Sequence, residues 1–357
     1  MQSLLENNHV GAPLLTVIMS CYNQAKYIRQ AIESVLMQKT GFPFTLLITD
    51  DCSTQDDSRA IIAEYASRYP ERIETLLNET NGRYLANVLR AKARLHTKYF
   101  TLLDADDFWT DEHYLQDAVD FLRVHADYAV YFRDVVCLED DGRTHLFLPN
   151  SKKTDFDFAD YIGGRVLIPQ TTGAVFRNVI YGQGIPKIVA DAVGTIHERS
   201  FEGDAGRFVM HLSKGKAHCV HRPSGVYRIS PSGIWCRLSQ SKRHLIQAQS
   251  CIDYHAYLGR DKPFFVNAAN QELNLALLAV RDEILHGNSL SVSWDQYFRS
   301  ISSFLSENHE IIGAYKLPRL GVLKALKIGC RLTTSQIPIL NRFVDEDKLH
   351  KRLQKWI

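Results

Sequence analysis

From residue 14 to about residue 122 the chain repeats one pattern: a short apolar run, then apolar residues at helical spacing. "LLTVIM" (14–19) predicts a buried strand, and Ile28, Ala31, Ile32 and Val35 then mark one face of a helix. "FPFTLLITDD" (42–51) is a second strand, and "STQDDSRAIIAEYASRY" opens with N-cap residues before a helical pattern. "RIETLLN" predicts a third strand, "YLANVLRAKARL" a helix and "YFTLL" a fourth strand, with Leu115, Ala118, Val119 and Leu122 on the next helix. Strands alternating with helices over short connections imply an α/β fold with a mostly parallel sheet flanked by helices.

Beyond about residue 128 the alternation loosens. "YAVYFRDVVCLE" and "TTGAVFRN" suggest further strands, "EGDAGRFVMHLSKG" a short helix ending at Gly215, and "AHCVHRPSGVYRI" a strand or hairpin. From about residue 240 the pattern is largely helical ("KRHLIQAQSCIDYHAYL", "ANQELNLALLAVRDEIL").

In open parallel sheets, ligands bind at the carboxyl ends of the strands. Here the first strand ends in Ser20 and Asn23, the second in Asp50 and Asp51, and the fourth in "DADD", which contains Asp104, Asp106 and Asp107. Three strands thus deliver polar residues to one edge. Like charges as close as those of "DADD" raise one another's pKa unless a cation or donors sit among them. The cluster is therefore either a solvated turn or a place to hold a metal.

Composition narrows the partners. Forty-two basic and 40 acidic side chains leave a net charge of +2, so bulk electrostatics does not point to nucleic acid. The charge is uneven: residues 314–357 carry ten Lys and Arg against three Asp and Glu, a local +7, which leaves −5 for the rest. Lys324, Lys327 and Arg331 form a basic stripe beside Leu320, Val322, Leu323 and Leu326. Such a helix suits an anionic membrane surface, or equally a solvated face that packs its leucines on the rest of the protein or on another subunit. No signal-peptide pattern opens the chain, no stretch reaches the roughly 20 apolar residues of a membrane span, and the seven cysteines lack CxxC spacing. The expectation is a cytoplasmic protein, with peripheral contact at the inner face of the membrane through the basic tail.

Four segments in register, "TVIMSCYNQAKYIRQAIESVLMQ", "LLITDDCSTQDDS", "NGRYLANVLRAKA" and "YFTLLDADD", resemble the nucleotide-sugar-binding half of a family 2 glycosyltransferase with a GT-A fold. A looser likeness to the acceptor-side segment of bacterial polysaccharide-type members runs through "FEGDAGRFVMHLSKGKAHCVHRPSGVYRISPSGIW". The resemblance covers roughly 225 residues. It implies a catalytic domain over residues 1–235, with a nucleotide-sugar half at about 14–110 and an acceptor half at about 111–235. A helical region with the basic tail would fill 236–357.

The resemblance also assigns roles. Asp51 would accept a hydrogen bond from the base, Asp50 would reach the ribose side, and Ser20 and Asn23 would line the nucleotide pocket. Arg83 would counter diphosphate charge, an ordinary surface arginine being the other reading. Mg²⁺ or Mn²⁺, which prefer carboxylate and phosphate oxygens, would be bound by Asp106 or Asp107, leaving the other carboxylates, Asp104 among them, for ribose or the donor sugar. Asp204 would be the base of an inverting transfer, with Glu202 as the fallback; the plain alternative is that both simply favour a helix N-terminus. Where members often have Tyr-Arg-x-His, this chain has "YRIS", so Ser230 stands at the histidine and leaves its role to Arg228 or to no residue. His197, His211, His218 and His221 lack metal-site spacing.

The implied function is metal-dependent sugar transfer from a nucleotide-sugar, of UDP type, to a glycan or lipid-linked hydroxyl in cell-surface polysaccharide biosynthesis. The alternatives are an inactive nucleotide-binding or scaffold protein of the same fold, and a sugar nucleotidyltransferase. The latter would want a glycine-rich loop after the first strand, and "SCYNQAKY" has no glycine.

Overall fold

The computed structural model describes residues 11–230, 233–285, 294–308 and 310. Four strands, β1 (Leu15–Cys21), β2 (Phe44–Asp50), β3 (Ile73–Leu77) and β4 (Tyr99–Asp104), alternate with helices α1 (Ile28–Leu36), α2 (Ser58–Arg68) and α3 (Arg83–Lys92). They pair in parallel in the order β3–β2–β1–β4. β1 and β2 are continuous apolar runs because a parallel strand covered on both faces has no solvent side. The predicted faces of α1 and of α4 (Tyr114–Val124) are fully buried in one core, each Ile, Leu or Val among them contributing roughly 1.5–3 kcal/mol.

The second half of the sheet is mixed. After β5 (Phe108–Trp109), α4, β6 (Tyr128–Glu139), β7 (Thr144–Leu146), β8 (Asp155–Phe156) and α5 (Phe158–Ile162) come a short 3-10 turn at Thr171–Gly173 and β9 (Ala174–Arg177). β9 inserts antiparallel between β4 and β6. Three helices, α6 (Lys187–Asp191), α7 (Glu198–Glu202) and α8 (Asp204–Leu212), lead into β10 (Lys216–Ile229). β10 is one bulged strand rather than a hairpin; it runs parallel to β6 and also pairs with β5 and β8. The main path is β3–β2–β1–β4–β9–β6–β10–β5.

Register brings the polar strand ends together. Ser20 lies opposite Asp104 on β4, and Cys21 opposite Asp50 on β2. Phe108 and Trp109 leave the turn as β5, and Trp109 is buried, its Nε1–H donating to the Thr172 carbonyl at 2.8 Å. The apolar pair after "DADD" therefore anchors the acidic turn into the core.

The chain divides into two compact units: residues 1–237 with 253–260, and residues 238–252 with 261–357. Helices α9 (Gln240–Leu258), α10 (Lys262–Leu285) and α11 (Trp294–Glu307) complete the described elements. In the second unit, Ser241 and Glu283 are joined by hydrogen bonds, as are His244 and Glu272. No described helix is long and apolar enough to cross a membrane. The basic segment 314–357, with its Lys324, Lys327 and Arg331 stripe, lies outside the described residues. The six described cysteines are free thiols.

Candidate active site

At the carboxyl ends of the strands, some carboxylates have both oxygens hydrogen-bonded and others, among the described residues, do not. Asp50 is fully buried and both its oxygens are taken. Oδ1 accepts from the Ser53 hydroxyl (2.5 Å), and Oδ2 from the Ser53 amide (2.9 Å) and Arg59 Nε (2.7 Å). The expected reach of Asp50 toward ribose is not available, because the carboxylate holds the loop after β2. Asp51 differs: Oδ1 accepts from the Gly82 amide (2.8 Å), and among the described residues no hydrogen bond reaches Oδ2.

Asn23 and Ser20 are also committed. Asn23 sits in the left-handed region (φ 52°), and its side-chain oxygen accepts from the Thr54 and Gln55 amides, both at 3.2 Å. It ties the β1 exit to the loop after β2. Ser20 Oγ donates to Asp104 Oδ1 at 2.6 Å. Burial raises the Asp104 pKa, while the Ser20 and Tyr84 hydroxyls and the nearby Arg207 guanidinium pull it back.

Within "DADD" the two remaining carboxylates have opposite surroundings. Asp107 is 2% exposed and accepts from the Thr172 hydroxyl (2.6 Å) and the Arg228 amide (2.9 Å), with Gln170 Nε2 at 3.5 Å. Its pKa is raised well above the usual range, by burial first and then by Asp106 and Asp104. Asp106 is half-buried, and among the described residues no other side chain hydrogen-bonds its carboxylate. Burial and then Asp104 push its pKa up to about 6. Arg228 staples the turn from above: its guanidinium donates to the Asp106 carbonyl and to Gln30 Oε1 (2.5 Å) and lies 4.6 Å from the Phe108 ring centre.

Asp204, the expected base, opens α8. Its Oδ1 accepts from the Thr171 hydroxyl and from Arg207 Nη2 (2.8 Å), its side chain is 30% exposed, and among the described residues no hydrogen bond reaches Oδ2. Burial is the main cause raising its pKa and Asp104 adds to it, while Arg207 and Thr171 oppose. Glu202, the fallback, is tied to Arg199. Tyr84 lies within electrostatic reach of Asp104, Asp204 and Glu202, which, after burial, hold its hydroxyl in the neutral form. Arg83 is 62% exposed, and its Nη2 donates to Glu198 at 2.6 Å.

Sequence reasoning missed Tyr84, Thr171, Thr172 and Arg207. Arg207 had a visible signal, since it follows Asp204 by three residues on the same helix, the spacing at which side chains meet. The threonines had none, because their contacts span 33 and 65 residues. The four histidines have structural partners. His211 is buried and donates to the Arg207 carbonyl (2.7 Å), His218 meets Asp155, His197 meets Asp253, and His221 meets the Lys153 carbonyl.

A divalent cation can be tested against these surroundings. Asp107 is the poorer candidate, since it is 2% exposed and both its oxygens already accept hydrogen bonds. Asp106 is the better one: among the described residues no other side chain donates to its carboxylate, and its anionic form is disfavoured by burial and by Asp104, a deficit that a cation would relieve. Among the described residues no three His, Cys, Asp or Glu side chains converge as a cage. Mg²⁺ commonly takes one or two carboxylates and completes its shell with phosphate oxygens and water.

Order of strands and acidic edge together define a GT-A type of domain, the same fold as the S. aureus protein TarS, residues 1–349, in complex with UDP. The TM-score is 0.51 at 16% identity, over 85% of this chain and 92% of that one. Residues 16–183 match the family model described as glycosyl transferase family 2. The chain is similar to the uncharacterized protein Rv1520 of Mycobacterium tuberculosis H37Rv, at 32% identity over 222 residues, which are 62% of this chain and 60% of the relative. It is also similar to the uncharacterized glycosyltransferase alr2836 of Nostoc, at 30% identity over 48% of this chain and 53% of the relative. The chain spans about 60% or less of the length of these curated relatives.

Proposed function

We propose that this protein is a glycosyltransferase that moves a sugar from a UDP-sugar to a hydroxyl of a glycan or lipid-linked acceptor, with inversion, in cell-surface polysaccharide synthesis. The reading is carried by one observation: the turn that fixes one oxygen of Asp204 and leaves the other open also holds the acidic strand end, since Thr171 donates to Asp204 and Thr172 to Asp107. One site thus pairs a carboxylate fit to take a proton with an acidic edge fit for a diphosphate sugar.

In this reading Asp51 Oδ2 accepts from the base, Asp104, oriented by Ser20, binds ribose or the donor sugar, and Asp106 holds Mg²⁺ or Mn²⁺. A cation held by Asp106 would supply positive charge against the departing diphosphate. Asp204 Oδ2 takes the proton of the attacking hydroxyl as its oxygen bonds to the anomeric carbon, and the bond to the diphosphate breaks with its electron pair on the diphosphate. A carboxylate raised from its ordinary pKa is a better proton acceptor than an unperturbed one. Uridine is favoured because TarS, of the same fold, was solved with UDP and with UDP-GlcNAc.

The test is a thermal-shift panel of UDP, GDP and their sugars, each with and without Mn²⁺, followed by donor hydrolysis. The expected result is a stabilisation by UDP compounds that a chelator abolishes. Nucleotide binding indifferent to chelator would refute the metal assignment, and binding without turnover in any acceptor mixture would favour a scaffold.

A further inference from the structure

We propose that Arg207 is a positioning residue that, together with Thr171, aims Asp204 and keeps it ionised. The proposal rests on the reading of Asp204 as base. The Arg207 side chain is 1% exposed, yet its Nε and Nη1 are buried without a hydrogen-bond partner among the described residues. Burying a guanidinium with donors unmet is unfavourable, and an apolar residue of similar volume would often serve the core as well or better. The bonded nitrogen shows what the arginine accomplishes. Nη2 donates to Thr171 Oγ1 at 2.8 Å and to Asp204 Oδ1 at 2.8 Å, while the Thr171 hydroxyl donates to the same Oδ1. Oδ1 therefore takes two donors, one of them charged, and Oδ2 is left for the acceptor hydroxyl.

The surroundings explain why such a device is needed. Asp204 shares its neighbourhood with Asp104 at the end of β4, Glu202 at the end of α7, Tyr84 on α3 and Tyr227 on β10. Burial first, and then the charge of Asp104, favour a protonated Asp204, which could not act as a base. Charge-assisted bonds to one oxygen favour the anion. The same turn also fixes the donor side, since Thr172 Oγ1 donates to Asp107 at 2.6 Å.

The experiment compares Arg207→Met, Arg207→Lys and Thr171→Val with Asp204→Asn, and adds the Asp204→Asn/Arg207→Met double variant. For Arg207→Met the expected result is UDP affinity near that of the parent, kcat lower by roughly 10–100-fold as for a misplaced catalytic group, and an acid limb of kcat/KM moved to higher pH. Arg207→Lys should recover part of the rate, and the double variant should be no slower than Asp204→Asn. Should Arg207→Met fail to fold, Thr171→Val, which keeps shape and removes the bridging hydroxyl, should show the same direction. Parent kcat and pH profile in Arg207→Met, or in Thr171→Val where that variant stands in, would overturn the proposal, as would a further full loss in the double variant. Parent rates in Asp204→Asn would instead sink the base reading, and the proposal with it.

Discussion

The contrast between Asp106 and Asp107 can be tested by truncating each in turn. Asp107→Ala leaves the Thr172 hydroxyl and the Arg228 amide facing a void where a 2% exposed carboxylate accepted both. A buried donor without a partner costs about 1–3 kcal/mol, so two cost roughly 2–6 kcal/mol. Relief of repulsion from Asp104 and Asp106 offsets part of this, and a net loss of about 3 kcal/mol is a fair expectation. For a unit of this size that lowers Tm by about 6–12 °C. Asp107→Asn keeps the shape and one acceptor and should fall between Ala and the parent. Asp106→Asn removes a half-buried carboxylate with no side-chain donor among the described residues and should change stability by no more than about 0.5 kcal/mol. It should, however, abolish the tightening of UDP binding by Mn²⁺. The assays are thermal unfolding without ligand and UDP calorimetry with and without Mn²⁺. The assignment is refuted if Asp107→Ala melts with the parent while losing metal dependence, or if Asp106→Asn keeps it.

Other expectations follow from single contacts. A Cβ on Gly206 would sit 2.1 Å from the Ser200 carbonyl, so Gly206→Ala should push α8 from α7, costing about 1–3 kcal/mol and lowering kcat; unchanged melting would contradict this packing. Burial pushes the His211 pKa down to about 3. Because this lies below the unfolded value near 6.5, its contribution is present above about pH 6.5 and lost as pH falls, about 2 kcal/mol between pH 7 and pH 5. His211→Leu should flatten that slope in urea titrations, and an unaltered slope would refute it. Arg83→Ala should leave UDP affinity within about twofold, since Glu198 already holds the guanidinium; a loss beyond tenfold, about 1.4 kcal/mol, would return Arg83 to the diphosphate. Deleting residues 314–357 should weaken binding to anionic vesicles while sparing donor hydrolysis, and equal vesicle binding by both forms would end the membrane reading.

The sheet and its acidic edge were legible in the sequence because both follow from local rules. Apolar runs ending in polar residues specify buried parallel strands, and parallel register then aligns those ends, as Ser20 with Asp104. Which carboxylates the protein satisfies was not legible. Asp50 and Asp51 are neighbours in "TDD", as Asp106 and Asp107 are in "DADD", yet in each pair one has both oxygens hydrogen-bonded and, among the described residues, the other does not. Ser53 and Arg59, which seal Asp50, lie nearby in sequence, but Thr172 and Arg228 reach Asp107 from 65 and 121 residues away. The antiparallel entry of β9 between β4 and β6 was equally hidden, since "TTGAVFRN" specifies a strand but not its direction.

The reach of Thr172 across the sheet bears on how such proteins can be recombined. A nucleotide-sugar half ending near residue 110 would keep every residue of the acidic edge, but not the groups that complete it. Asp107 would lose both its principal donors and Trp109 the carbonyl that takes its indole N–H, because all three come from Thr172 and Arg228. β4 would also gain a raw edge where β9 had paired. A chimera that joins this half to a foreign acceptor half would therefore have to import residues 170–177 and the end of β10 along with it. The sensible crossover points lie after β10, not between the two halves of the sheet.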